Sequence, residues 1–137
     1  TTVDLFLLDL WTGKASLDKL GAAGSYLMQA EGLSLLGGDA LPLGILENVE
    51  SGEKLMQLHQ GDTLILLSDG VEDAYENRQS MEETIRDALT LETAQDAANA
   101  ILTGAQSGDT APADDQTVLV LRLIRARVDA KIEEMYQ

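Results

Sequence analysis

The stretch Thr63 to Ser68, TLILLS, constrains this chain more than any other part of it. It is short, unbroken by charge, and bounded by Gly61-Asp62 on one side and Asp69-Gly70 on the other. That length and those turn residues specify a strand, and a strand without polar alternation is buried on both faces. It therefore has to sit inside a sheet that is covered above and below. It also carries Asp69 to its own end, where desolvating a charge is costly. Either Asp69-Gly70 is an ordinary turn, or the carboxylate is held there to bind something.

The rest of the chain supplies the sheet. Val3 to Leu10 (VDLFLLDL) reads as a strand that ends at the turn Trp11-Thr12-Gly13-Lys14, and Ala15 to Leu20 pairs back on it as a hairpin. Gly21 to Gly24 (GAAG) permits a bulge or a close backbone approach. Ser25 to Ala30 and Gly32 to Leu36 are two more short strands, and Lys54 to Leu58 is another. Between them, Gly37 to Leu46 reads as a loop, because Pro42 excludes a central strand.

After Asp69 the period changes from two to that of a helix. Ser80-Met81-Glu82-Glu83 predicts a capping box with Ser80 as the N-cap, followed by Met81, Ile85, Ala88 and Leu89 on one face. Thr93 opens a second helix, with Ala94, Ala97, Ala98, Ile101, Leu102 and Ala105 turned inward. Gly104 to Ala113 is a loop that delivers Asp114-Asp115 to a last strand, Gln116 to Ile124. Val128, Ile132, Met135 and Tyr136 mark a terminal helix. Strands, then two helices, then one strand make an α+β fold with largely antiparallel sheets flanked by helices.

Composition narrows the chemistry. With 137 residues and 45% hydrophobic content, the chain fits one domain or a large piece of one. The absence of cysteine excludes disulfides and thiolate metal sites. No apolar run approaches the ~18 residues of a membrane span. Nine Lys and Arg against 24 Asp and Glu leave a formal charge of −15, which makes nucleic acid and anionic membrane poor partners. An anionic substrate would need positive charge from elsewhere, and a metal ion is the obvious source. The opening Thr1-Thr2, without Met or a leader, is expected of a piece of a longer protein that lacks a signal peptide.

If the strands before Asp69 and after Asp115 are antiparallel neighbours, the end of one lies beside the start of the other. Two close carboxylates repel unless a proton or cation sits between them, and oxygen-only ligands favour Mg2+ or Mn2+. Gly70 fits a site that needs close backbone access. The plain alternative stands beside this one: Asp-Gly is a common turn dipeptide, and Asp-Asp before a strand also caps loops. Spacing leaves both open.

The segments LILLSDGVEDA (Leu64 to Ala74) and DDQTVLVLRL (Asp114 to Leu123) resemble the last two acidic motifs of PPM-type metal-dependent protein serine/threonine phosphatases. DLFLLDLWTGKA (Asp4 to Ala15), KLGAAGSYLM (Lys19 to Met28) and LPLGIL (Leu41 to Leu46) are similar to the phosphatase domain of the stage II sporulation protein E branch. The resemblance implies a PPM-type β-sandwich that is incomplete on its N-terminal side, with residues 1–124 the C-terminal part of the phosphatase domain and 125–137 a terminal helix or tail. It implies two Mn2+ or Mg2+ ions, with Asp69 and Asp114 as ligands and Asp115 as the substitute if the register shifts by one. Asp73, just past the first motif, has two readings: part of a solvated helix entry, or an outer carboxylate that orients metal-bound water.

By the same resemblance the substrate is a small phosphoserine regulatory protein, of the anti-sigma factor antagonist type. The resemblance also implies a domain on the cytoplasmic side of a membrane-anchored bacterial protein. The family's early Asp-Gly-x-Gly ligand segment is missing: Asp9 sits inside a strand and Asp39 follows its glycines. This piece alone is therefore expected to bind metal weakly and not to turn over, and to cover an exposed edge or face by dimerisation or strand exchange. A non-catalytic interaction module of the same fold is the alternative. His59 reads as a surface residue, Trp11 as packing or marking a hairpin edge, and Glu72-Asp73-Glu76 as a solvated helix entry.

Overall fold

The computed structural model describes residues 3–20, 23–37, 53–108, 111 and 114–125. Seven strands and three helices follow in the order β1 (Val3–Leu8), β2 (Lys14–Leu20), β3 (Ser25–Gln29), β4 (Gly32–Leu36), β5 (Lys54–Gln57), β6 (Thr63–Leu67), α1 (Asp69–Glu72), α2 (Arg78–Ala88), α3 (Ala94–Ala105) and β7 (Val118–Arg122). They form two antiparallel sheets, β1-β2-β5 and β4-β3-β6-β7, and the α+β reading holds. The terminal helix expected from Val128 to Tyr136, the loop expected around Pro42, and Asp39 lie outside the described residues.

The buried run is where its composition requires. β6 pairs with β3 along one edge and with β7 along the other. Its period of two sends alternate side chains to opposite layers. Ile65 and Leu67 join Tyr26, Val71, Met81, Ile85, Ala97 and Ile101 in a core between this sheet and the helices. Leu64 pairs with Leu27, which packs on the other side with Ala15, Leu58, Phe6 and Met56 of the three-stranded sheet region. The layers are thus sheet, sheet, helices, and β6 lies in the middle one. Truncating Ile85 or Ile101, both fully buried, to Ala is worth about 2–5 kcal/mol.

The three-stranded sheet has two unlike faces. Phe6, Leu8, Ala15 and Leu17 point into the sandwich, whereas Val3, Leu5 and Leu7 are 40%, 50% and 58% exposed on the outside, with Leu55 at 79%. Inside the sandwich a charge is buried with its partners. Lys19 Nζ donates to both carboxylate oxygens of Asp4 at 2.8 Å and to Ser25 Oγ at 2.8 Å, so all three ammonium protons are used.

Three local expectations change. β1 stops at Leu8 because the Asp9 carboxylate accepts from the amides of Trp11 and Thr12, at 2.9 and 3.2 Å, and turns the chain. Asp9 therefore lies in the turn and not inside the strand, and those amides hold its carboxyl below the usual range. Gly13 completes the turn at φ 72°, with its ideal Cβ position 2.3 Å from the Leu58 carbonyl, so glycine is required there.

The first long helix also begins a turn earlier than its apparent capping box. Asn77 is the N-cap, its side chain accepting from Ser80 N at 2.9 Å, and Ser80 Oγ donates back to the Asn77 carbonyl at 2.9 Å. Asn and Ser are comparable caps, so cap preference alone does not choose between them, and Ser80 stands at the third helical position with its hydroxyl closed on the Asn77 carbonyl. Thr93 caps α3 as expected, accepting from Asp96 N at 3.0 Å. Trp11 packs on nothing and is 98% exposed at the tip of the β1–β2 hairpin.

Candidate functional site

The sheet register brings the two acidic segments together. The β6–β7 ladder runs from Thr63↔Arg122 to Leu67↔Val118, so the exit of β6 faces the entry of β7. One more ladder bond follows, from Ser68 N to the Thr117 carbonyl at 3.0 Å. The chain then turns directly into the four-residue helix α1, with Ser68 as an extended N-cap at φ −80° and ψ 158° and Asp69 as its first residue. Asp114 and Asp115 lie in the segment that leads into β7.

Side chains tie these two turns to each other. Ser68 Oγ accepts from Thr117 N at 2.9 Å and donates to the Asp115 carbonyl at 3.2 Å. Gln116 Nε2 donates to the Gly70 carbonyl at 3.2 Å. Gly70 is buried, and a Cβ on it would lie 2.3 Å from the Asp115 carbonyl oxygen and 3.2 Å from that of Asp114. What approaches the Gly70 backbone closely is the backbone of the second acidic segment.

The carboxylates themselves are exposed. Asp69 Oδ1 accepts from Gly70 N at 3.0 Å, and Asp114 Oδ1 accepts from Asp115 N at 2.8 Å. Each uses one oxygen to shape its own turn, and among the described residues neither is paired with Lys, Arg or His. Asp73 is the C-cap of α1, its amide donating to the Asp69 carbonyl at 2.8 Å while its side chain is exposed. Among the described residues no three or more His, Cys, Asp or Glu side chains form a group able to hold a metal ion. The donors present are hard oxygens without a cationic neighbour, which fits Mg2+ or Mn2+ in kind, though two carboxylates are fewer than the six oxygen donors such an ion prefers.

Glu72, expected in a solvated helix entry, has a partner in the structure. Its Oε2 accepts from Gly24 N at 3.2 Å, which ties α1 to the start of β3. Ser68, Gln116 and Glu72 are the residues of the site that sequence reasoning passed over. The only local signal was a serine placed between the last apolar residue of a strand and Asp-Gly. His59 is exposed as expected; its backbone amide donates to Asp62 Oδ2 at 2.8 Å, away from both acidic turns.

Comparison with known proteins gives one family. The family profile for stage II sporulation protein E (SpoIIE) matches residues 1–124. A curated relative, the stage II sporulation protein E of Priestia megaterium, is 31% identical over 71 residues, which is 52% of this chain and 12% of that protein. The phosphatase domain of the cell fate determinant SpoIIE from Bacillus subtilis superposes with a TM-score of 0.73 at 23% identity, covering 94% of this chain and 61% of that one. The catalytic domain of the serine/threonine protein phosphatase PstP in complex with two manganese ions gives a TM-score of 0.73 at 21% identity, covering 90% of this chain and 59% of that one. The chain thus spans less than two thirds of each of these relatives.

Proposed function

The chain belongs to the stage II sporulation protein E family, and from that premise we propose that it is the C-terminal, ligand-bearing part of a metal-dependent phosphoserine phosphatase domain. The PPM-type fold carries the coarser statement, that of a protein phosphatase domain. The observation that supports the finer one is the antiparallel β6–β7 pairing, which sets the Asp69 and Asp114 turns against each other at one sheet end.

In this reading Asp69 and Asp114 are metal ligands, with Asp115 the neighbour that substitutes if the register shifts. Bound Mn2+ or Mg2+ supplies an activated water and neutralises charge on the phosphoryl group. The chain's own residues hold the ligands. The Gly70 and Asp115 amides fix one oxygen of each carboxylate, leaving the other directed by the turn, and Asp73 is the outer carboxylate one turn on. A net charge of −15 then suits the metal ions and not the phosphate, so phosphate binding depends on the ions.

The substrate class is a small phosphoserine regulatory protein of the anti-sigma factor antagonist type. We place the domain, residues 1–124 with 125–137 as its tail, on the cytoplasmic side of a membrane-anchored bacterial protein. Two carboxylates among the described residues are too few ligands for turnover by this chain alone. A malachite-green assay with Mn2+ and a phosphoserine protein tests this: no phosphate release above buffer is expected, and robust metal-dependent release refutes the inactivity. The apolar outer face formed by Val3, Leu5, Leu7 and Leu55 favours self-association of this chain. Light scattering that reports a monomer across a hundredfold range of concentration (about 2 to 200 μM, spanning ordinary dissociation constants) refutes that part.

A further inference from the structure

We propose that Ser68 and Gln116 are positioning residues that set the separation of the Asp69 and Asp114 carboxylates; this rests on the metal-ligand reading above. The regular ladder between β6 and β7 ends at Leu67↔Val118, and Asp69 and Asp114 both lie beyond it. Past that point the two turns are joined by Ser68 and Gln116. The Ser68 hydroxyl uses both of its capacities across the gap, accepting from Thr117 N at 2.9 Å and donating to the Asp115 carbonyl at 3.2 Å. Gln116 reaches the other way, from the second turn to the Gly70 carbonyl at 3.2 Å.

These bonds end on the residues next to the ligands. Asp115 follows Asp114, and Gly70 follows Asp69, so a shift at either carbonyl moves the neighbouring carboxylate with it. Gly70 lets the backbones meet, because any Cβ there would overlap the Asp115 carbonyl. Among the described residues neither carboxylate is paired with a cation, so the backbone ties and not an ion pair fix their separation. Removing a tie relaxes that separation and lowers cation affinity, while the core behind it, built from Ile65, Leu67, Val71 and Ile101, is untouched. Groups that hold metal ligands from behind affect affinity by about 10–100-fold, and this arrangement belongs at the lower end because it acts through the backbone.

The test is a Mn2+ titration of the 15N-labelled full chain, reading paramagnetic broadening of the Gly70 and Asp115 amides below the melting transition of every variant. In the unmodified chain both amides broaden with one midpoint. Ser68→Ala and Gln116→Met are each expected to need about tenfold more Mn2+ for the same broadening, and Ser68→Thr is expected to restore the original behaviour. A role in folding alone would lower the melting temperature but leave the Mn2+ midpoint of the folded chain unchanged. If both variants keep the original midpoint, the positioning role is overturned while the ligand reading stands. If the unmodified chain broadens neither amide, the ligand reading fails and the positioning role fails with it.

Discussion

Replacing Gly70 by Ala should destabilise the chain, although Gly70 lies in a helix, where Ala is the better former. Helix propensity alone would favour Gly70→Ala by about 1 kcal/mol. The structure opposes that gain. The new methyl would sit 2.3 Å from the Asp115 carbonyl oxygen and 3.1 Å from its carbon, and both atoms are backbone, so no side chain can swing aside. Overpacking of this kind costs about 1–3 kcal/mol. Pushing the 114–117 segment away also strains the Ser68–Asp115 and Gln116–Gly70 bonds, each worth about 1 kcal/mol. The net expectation is a loss of about 2–4 kcal/mol, the clash and the two bonds less the propensity gain. Urea unfolding followed by circular dichroism at 222 nm measures it, since Trp11 is too exposed to report the core. Gly108→Ala is the control: nothing lies within 4 Å of its Cβ position, so it should be neutral or slightly stabilising. If Gly70→Ala is as stable as the parent, the close approach of the two acidic turns is wrong.

Arg122 donates to the carbonyls of Leu89, Leu91 and Glu92 at the end of α2, and Arg122→Met should cost about 1.5–3 kcal/mol, read as a lower urea midpoint. Lys19→Met leaves Asp4 as a largely buried, unpaired carboxylate and should cost about 3–5 kcal/mol, while the double variant with Asp4→Leu should recover most of it. Burial pushes the Tyr75 phenol above its ordinary value, and Tyr75 Oη still donates to the Ile101 carbonyl at 2.7 Å. The unfolded chain then loses that proton first, so stability is full below about pH 10 and falls as pH rises towards the folded value. Tyr75→Phe should flatten part of that fall in melting temperature between about pH 9 and 11; an unchanged slope counts against it.

Much of this fold can be read along the chain because the signals are local. The unbroken apolar run of Thr63 to Leu67 specifies a strand with cover on both sides, and the helical spacing of Met81, Ile85 and Ala88 specifies which face of α2 is buried. The carboxylates at the two strand ends are equally visible, and antiparallel geometry predicts their approach. The assignment of β5 to one sheet and of the adjacent β6 to the other is not visible, because it depends on which layer each strand completes.

The same limit explains the misplaced cap and the overlooked ties. Ser80 satisfies a capping pattern, but α2 starts at Arg78, where Asn77, an equally good cap three residues earlier, takes the Ser80 amide. Ser68, Gln116 and Glu72 are ordinary polar residues until folding brings partners from 46 to 49 positions away. Local periodicity determines strands, helices and where charges are delivered. The tertiary structure alone decides which polar atoms meet across the sheet end, since those meetings depend on register and not on any neighbour in sequence.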